Sequence, residues 1–161
     1  MPIRAVVTVC ALACLWTPRG HSQQMPNPYG LPVSLENAQK VAAASLMEAK
    51  KNNWTMAIAI VDPNGTLIYF EKMENTQNGS ADVAIDKARS AALFKRPTKA
   101  FEDLIANGGD GMRYLRMRAA IPIEGGIPLV IEGKIVGGIG VSGGKSGQDV
   151  TCAQVGADVL K

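Results

Sequence analysis

Two stretches of the chain place reactive or ligand-holding residue types close together. The first is Asp82, Asp86 and Lys87. Asp82 and Asp86 stand four residues apart, so a helix carries both carboxylates on one face and Lys87 on a neighbouring one. Paired carboxylates beside an ammonium can pass protons or hold a cation. In an enzyme these three would be the catalytic set, with Asp86 or Asp82 as base. The same spacing also suits a solvated acidic edge, with Asp82 facing the positive end of a helix dipole. The second stretch, Gly137 to Ser146, reads G-G-I-G-V-S-G-G-K-S. Glycines between an apolar strand and a helix bring free backbone N–H groups to a helix N-terminus, where a carboxylate can be held. A phosphate loop of the form G-x-x-x-x-G-K-[ST] needs a glycine five residues before Gly144. Ile139 stands there, so nucleotide hydrolysis is set aside. The glycines also suit a tight turn and close helix packing, and both readings stay open. The residues that would hold an acidic ligand are Lys87, Arg96, Gly125, Gly126, Ser142, Gly143 and Gly144.

The rest of the inventory is short. His21 is the sole histidine, and the cysteines are Cys10, Cys14 and Cys152. No cluster has metal-ligand spacing, so no metal site is expected. Soft or phenolic donors are Met47, Met56, Met73, Met112, Met117, Tyr69, Tyr114 and Cys152; methionines at such spacings usually fill cores. Lys95, Arg96, Lys99, Arg113, Arg116 and Arg118 form a basic cluster in sequence, suited to an acidic ligand or to a solvated surface.

The elements that must position these residues are legible. Ser34 caps a helix whose apolar residues recur at helical spacing up to Asn52. Thr55 to Val61 is continuously apolar and reads as a strand buried on both faces. Asp62-Pro63-Asn64-Gly65 turns the chain, and Thr66 to Met73 returns as its hairpin partner. Ser80 opens a second helix that stops before Pro97, and Thr98 opens a short third one. Met112 to Arg118 is a short basic segment of unassigned state. Ile127–Ile131 and Ile135–Val141 flank Glu132-Gly133, a second hairpin, and a last helix follows Ser146. The order α-β-β-α-(α)-β-β-α makes an α+β single domain: an antiparallel sheet of two hairpins flanked by helices.

Composition agrees with a globular fold. The chain has 161 residues, 47% hydrophobic and 19% charged. Residues 1–22 read as a signal peptide: Arg4 leads an apolar run from Ala5 to Trp16, and small residues Gly20 and Ser22 precede a polar, proline-rich stretch. Residues 23–33 then form an N-terminal arm and 34–161 the domain. Removing the signal takes Arg4 and Arg19, so 17 basic residues become 15 against 14 acidic ones and the net charge falls from +3 to +1. That balance gives no basis for nucleic-acid binding, and no membrane segment remains after cleavage. The mature chain would be periplasmic or secreted. It would keep no histidine, which excludes His-based acid–base chemistry and Ser-His-Asp triads.

Several stretches, in order, resemble the GlcG/HbpS family of haem-binding (haem-degrading-like) proteins, related to the C-terminal domain of PduO-type corrinoid proteins. They are A-I-A-I-V-D-P-N-G, L-I-Y-F-E-K-M, G-S-A-D-V-A-I-D-K-A-R-S-A-A-L-F-K-R-P-T, E-G-G-I-P-L-V-I-E-G-K-I-V-G-G-I-G-V-S-G-G and Q-D-V-T-C-A. The resemblance spans about Leu35 to Lys161. It implies the sheet-and-helix domain above, a homo-oligomer, and a pocket for haem or, less readily, a corrinoid. Without a mature histidine the iron would take a Met, Tyr, Lys or Cys ligand, or none. The reading is an exported protein that binds haem or a related anionic tetrapyrrole. The alternatives are an enzyme acting on a small carboxylate and an accessory subunit of a periplasmic redox system.

Overall fold

The computed structural model describes residues 27–161. The export segment expected at 1–22, and the first residues of the arm, lie outside that range. Five helical segments surround one sheet: α1 (Leu35–Lys51), α2 (Ser80–Phe94), α3 (Lys99–Ala106), a 3-10 helix (Gly109–Arg116) and α4 (Ser146–Asp158). The strands are β1 (Ala57–Val61), β2 (Leu67–Lys72), β3 (Gly126–Ile131) and β4 (Lys134–Ser142). They pair antiparallel in the order β2-β1-β4-β3. The α+β single domain expected from the sequence is what the structure shows.

Both hairpins are made by local chemistry. Asp62 Oδ1 accepts from the amides of Asn64 and Thr66, each at 2.8 Å, and Gly65 takes φ +81°. Glu132 and Gly133 both have positive φ, 49° and 71°, as a two-residue type I′ turn demands. Joining the hairpins through β1 and β4 places those strands at the centre. All five residues of β1 are buried. Pro128, which has no N–H to give, lies on the edge strand β3, where proline is tolerated.

The sheet separates two packing layers. Ile58, Ile60, Leu129, Ile139 and Val141 face α1 and α4, joining Val41, Leu46, Cys152 and Ala153. Ala57, Ala59 and Val61 face α2 through Ala84, Ala88 and Ala92. Opposite Ala59 in the register stands Gly140, and opposite Val61 stands Gly138. A Cβ on Gly140 would run into the Ala84 carbonyl, and one on Gly138 into the Ala88 carbonyl. The glycines of β4 therefore let α2 lie directly on the strand.

The arm extends the sheet. Gly30 donates to Ile135 O and Val33 to Val136 O, each at 2.8 Å, while Ile135 donates to Pro28 O at 2.8 Å. The Tyr29 hydroxyl lies 3.1 Å from Ala92 O and 3.0 Å from Leu93 O, at the end of α2. The Lys95 ammonium sits 4.1 Å above the Tyr29 ring.

Candidate functional site

The glycine corner surrounds a buried ion pair. Lys87 leaves α2 on its sheet-facing side and is 1% exposed. Its Nζ donates to Asp149 Oδ2 at 2.7 Å and to Val141 O at 3.0 Å. The other carboxylate oxygen, Oδ1, accepts from Gly144 N at 3.0 Å. The amides of the glycine corner thus do hold a carboxylate, and it is the chain's own Asp149. Burial raises the Asp149 carboxyl above the usual range, against the opposing pull of Lys87 and the amides of Gly144 and Gly143. Gly125 closes the hub with φ +118°. A Cβ there would lie 2.8–2.9 Å from Val141 O, Asp149 Cβ and Lys87 Nζ. The pair ties α2, the end of β4, the glycine loop and α4 at one point.

The other sequence candidates distribute around this hub. Asp82 and Asp86 are exposed on the outer face of α2, and Asp86 is 3.9 Å from Arg89. Lys87 points the opposite way, so the three do not share a site. Gly126 is pinned by Thr98: its amide donates to Thr98 Oγ1, and the Thr98 amide donates to its carbonyl, both at 3.0 Å. Ser142 is buried at the end of β4 opposite Ala57. Gly143 packs on the Thr55 carbonyl, leaving no room for a Cβ, and Gly144 is exposed. Arg96 keeps an exposed guanidinium. Its Nε donates to Phe94 O at 3.1 Å, and its Cζ lies 5.6 Å over the Phe101 ring. Sequence reasoning missed Asp149. Its one signal was an acidic residue in the first turn after the glycine loop, a place where exposed dipole-capping aspartates are common.

A cleft of about 300 Å³ opens between the arm, the start of α1 and the β3–β4 turn. Leu31, Val33, Asn37, Ile131, Lys134 and Val136 line it. It contains none of the candidate residues and no methionine, tyrosine or cysteine.

Haem can be tested against the donors present. Among the described residues there is no histidine. Lys87 is committed to Asp149, and the Tyr69 hydroxyl donates to Glu71 at 2.8 Å. Met56 is buried, and Met73 Sδ accepts from its amide at 3.4 Å. Cys152 is buried, and desolvation pushes its thiol up to about 11. A thiol so held is a poor thiolate ligand and nucleophile. In the native protein Cys152 is therefore expected to resist a thiol-specific disulfide reagent for hours, then react stoichiometrically in denaturant. Rapid native labelling would contradict this burial. The accessible thioethers are Met47, Met112 and Met117, at 66%, 48% and 36% exposure. The last two flank Arg113 and Arg116 in sequence and precede Arg118. A thioether beside arginines and apolar surface fits an iron macrocycle with carboxylate arms.

Known proteins share this fold. A family model described as haem degrading protein HbpS-like matches residues 33–158. Protein GlcG of Escherichia coli (strain K12) is 37% identical over 110 residues, covering 68% of this chain and 81% of that one. A double mutant of HbpS from Streptomyces reticuli superposes with TM-score 0.75 at 26% identity, covering 98% of this chain and 99% of the other. A PduOC:haem complex superposes with TM-score 0.74 at 25% identity, over 81% and 96%. On sequence and fold alike, the chain belongs to the GlcG/HbpS family, related to PduO.

Proposed function

We propose that this protein is an exported, homo-oligomeric haem-binding module. The observation that carries the reading is the shared fold, at 25% identity, with a relative whose structure is a complex with haem. The donor set agrees with it: exposed thioethers stand next to arginines, and the described surface supplies no imidazole. Haem is favoured over a corrinoid because the related complex holds haem. The alternative, an enzyme on a small carboxylate, drew on the glycine-corner amides and the two aspartates. Those amides are engaged by Asp149, and the aspartates face solvent away from Lys87.

Haemin titrated into the mature protein is expected to give a saturable Soret shift at one equivalent per chain. Sedimentation of the same preparation is expected to give a multiple of the chain mass. Linear absorbance growth without a shift would dismiss haem binding, and a monomer mass would dismiss the oligomer. Export is checked separately, by the N-terminal sequence of protein recovered from outside the cytoplasm, expected to begin near Gln23.

A further inference from the structure

The segment Gly109–Arg116 is an eight-residue 3-10 helix, longer than such helices usually run. With three residues per turn, its side chains stand in three columns. The inward column holds Gly111 and Tyr114. Gly111 is buried against the Leu104 carbonyl with no space for a Cβ, and the Tyr114 ring lies 5.7 Å from that of Phe101. This column fastens the segment to α3. The second column is Met112 and Leu115, 48% and 56% exposed. Exposed Met117 and Ile123 add apolar surface in the chain that follows. The third column is basic, Arg113 and Arg116. Arg113 is paired with Asp110 at 2.6 Å. Arg116, and Arg118 beyond it, are exposed and form no ion pair among the described residues.

An apolar column with a thioether, beside a column of uncommitted cations, is complementary to a flat apolar ligand bearing carboxylates along one edge. We propose that haem docks on this outward face, with the Met112 sulfur at the iron and the Arg116 and Arg118 guanidiniums on the propionates. The proposal rests on the haem-binding reading and gives it a place. Arg96 borders the same ground, because its guanidinium stacks on Phe101 and Phe101 contacts Tyr114. Nothing comparable occurs at the arm cleft, which holds no soft donor.

The test is haemin titration of the full mature protein and four variants, each checked for native circular dichroism. Met112→Leu keeps the apolar volume. It is expected to change the Soret position of the ferric complex and to bind about tenfold more weakly. The double variant Arg116→Glu/Arg118→Glu is expected to bind on the order of a hundredfold more weakly, about tenfold per lost charge-assisted contact. Lys134→Glu, on the arm cleft away from this face, is the control and is expected to titrate like the wild type. If the wild type shows no Soret shift, the haem reading itself falls, and this site with it. If the wild type shifts and the Met112 and arginine variants titrate unchanged, the reading stands and this site is overturned. A change of Soret position and affinity in Met117→Leu but not in Met112→Leu would overturn the Met112 assignment. Unchanged haem affinity with loss of binding to phosphatidylglycerol vesicles would overturn the site in favour of a membrane surface. Unchanged haem affinity with loss of self-association would overturn it in favour of a second copy.

Discussion

Lys87→Ala is expected to unfold far below the wild type. Removing one partner of a buried ion pair leaves the other charge desolvated without compensation, which costs about 3–5 kcal/mol. For a fold of this size that is on the order of 10–20 °C in Tm. Asp149 is 3% exposed, and after the substitution only backbone amides would face its carboxylate. The pair as a whole contributes much less than this, because burial opposes it: the Asp149 carboxyl is raised despite an ammonium at 2.7 Å. Lys87→Met/Asp149→Leu is therefore expected to recover most of the loss, as apolar replacements of buried pairs do. Recovery stops short of complete because the Gly144 amide loses its acceptor.

The same cycle carries a pH signature. A carboxyl raised on folding binds its proton more tightly in the native state. Its stabilising contribution is therefore full below the unfolded carboxyl range and is lost as pH rises through the folded value. That slope is expected in the wild type and absent from the double variant. Thermal unfolding across the acid range measures both. A Lys87→Ala protein melting within a degree or two of the wild type would refute the hub.

Gly140→Ala is expected to destabilise by about 3 kcal/mol in urea unfolding, the upper end for overpacking. The added methyl would collide with the Ala84 carbonyl and the Ala88 amide. These are backbone atoms of α2 and cannot swing aside as a side chain does. Moving the helix outward would open the layer built on Ala57, Ala59 and Ala88 and stretch the Lys87 bridge. Gly147→Ala is the matched control. It lies in the first turn of α4, and a Cβ there meets nothing within 4 Å. It is expected to be neutral or to stabilise by up to about 1 kcal/mol, the helix-propensity difference. Equal midpoints for the two variants would show that close packing of α2 is not what β4's glycines serve.

What the sequence disclosed and what it withheld divide along range. Turns and caps are local, so Asp62-to-Gly65, Glu132-Gly133 and the Ser34 cap, whose Oγ accepts from Asn37, were visible in neighbouring residues. Ile135 to Val141 is legible as a strand, and its glycines suit a ligand or close packing equally. Nothing local says that these glycines meet a helix rather than a ligand, since α2 lies about fifty residues earlier. The pairing of Lys87 with Asp149 spans 62 positions and has no periodic signature at all. Asp82 and Asp86 show the converse. Their shared helical face was correctly inferred from spacing, but spacing alone could not tell that Lys87, the next residue, is turned into the core. The 3-10 helix has no signature in its own residues, because its inward contacts, Gly111 on Leu104 and Tyr114 on Phe101, belong to α3.

The strand order has a further consequence, for when the fold can form. The central strand β1 finds β2 at once through the five residues 62–66, but its other neighbour, β4, is made some eighty residues later. Until Val141 and Asp149 exist, Lys87 has neither of its partners, and α2 has β1 beneath it but not β4. Contacts of such separation are reached late and slowly. A chain delivered from its N-terminus thus completes its central sheet and its buried ion pair only once its last helix is made.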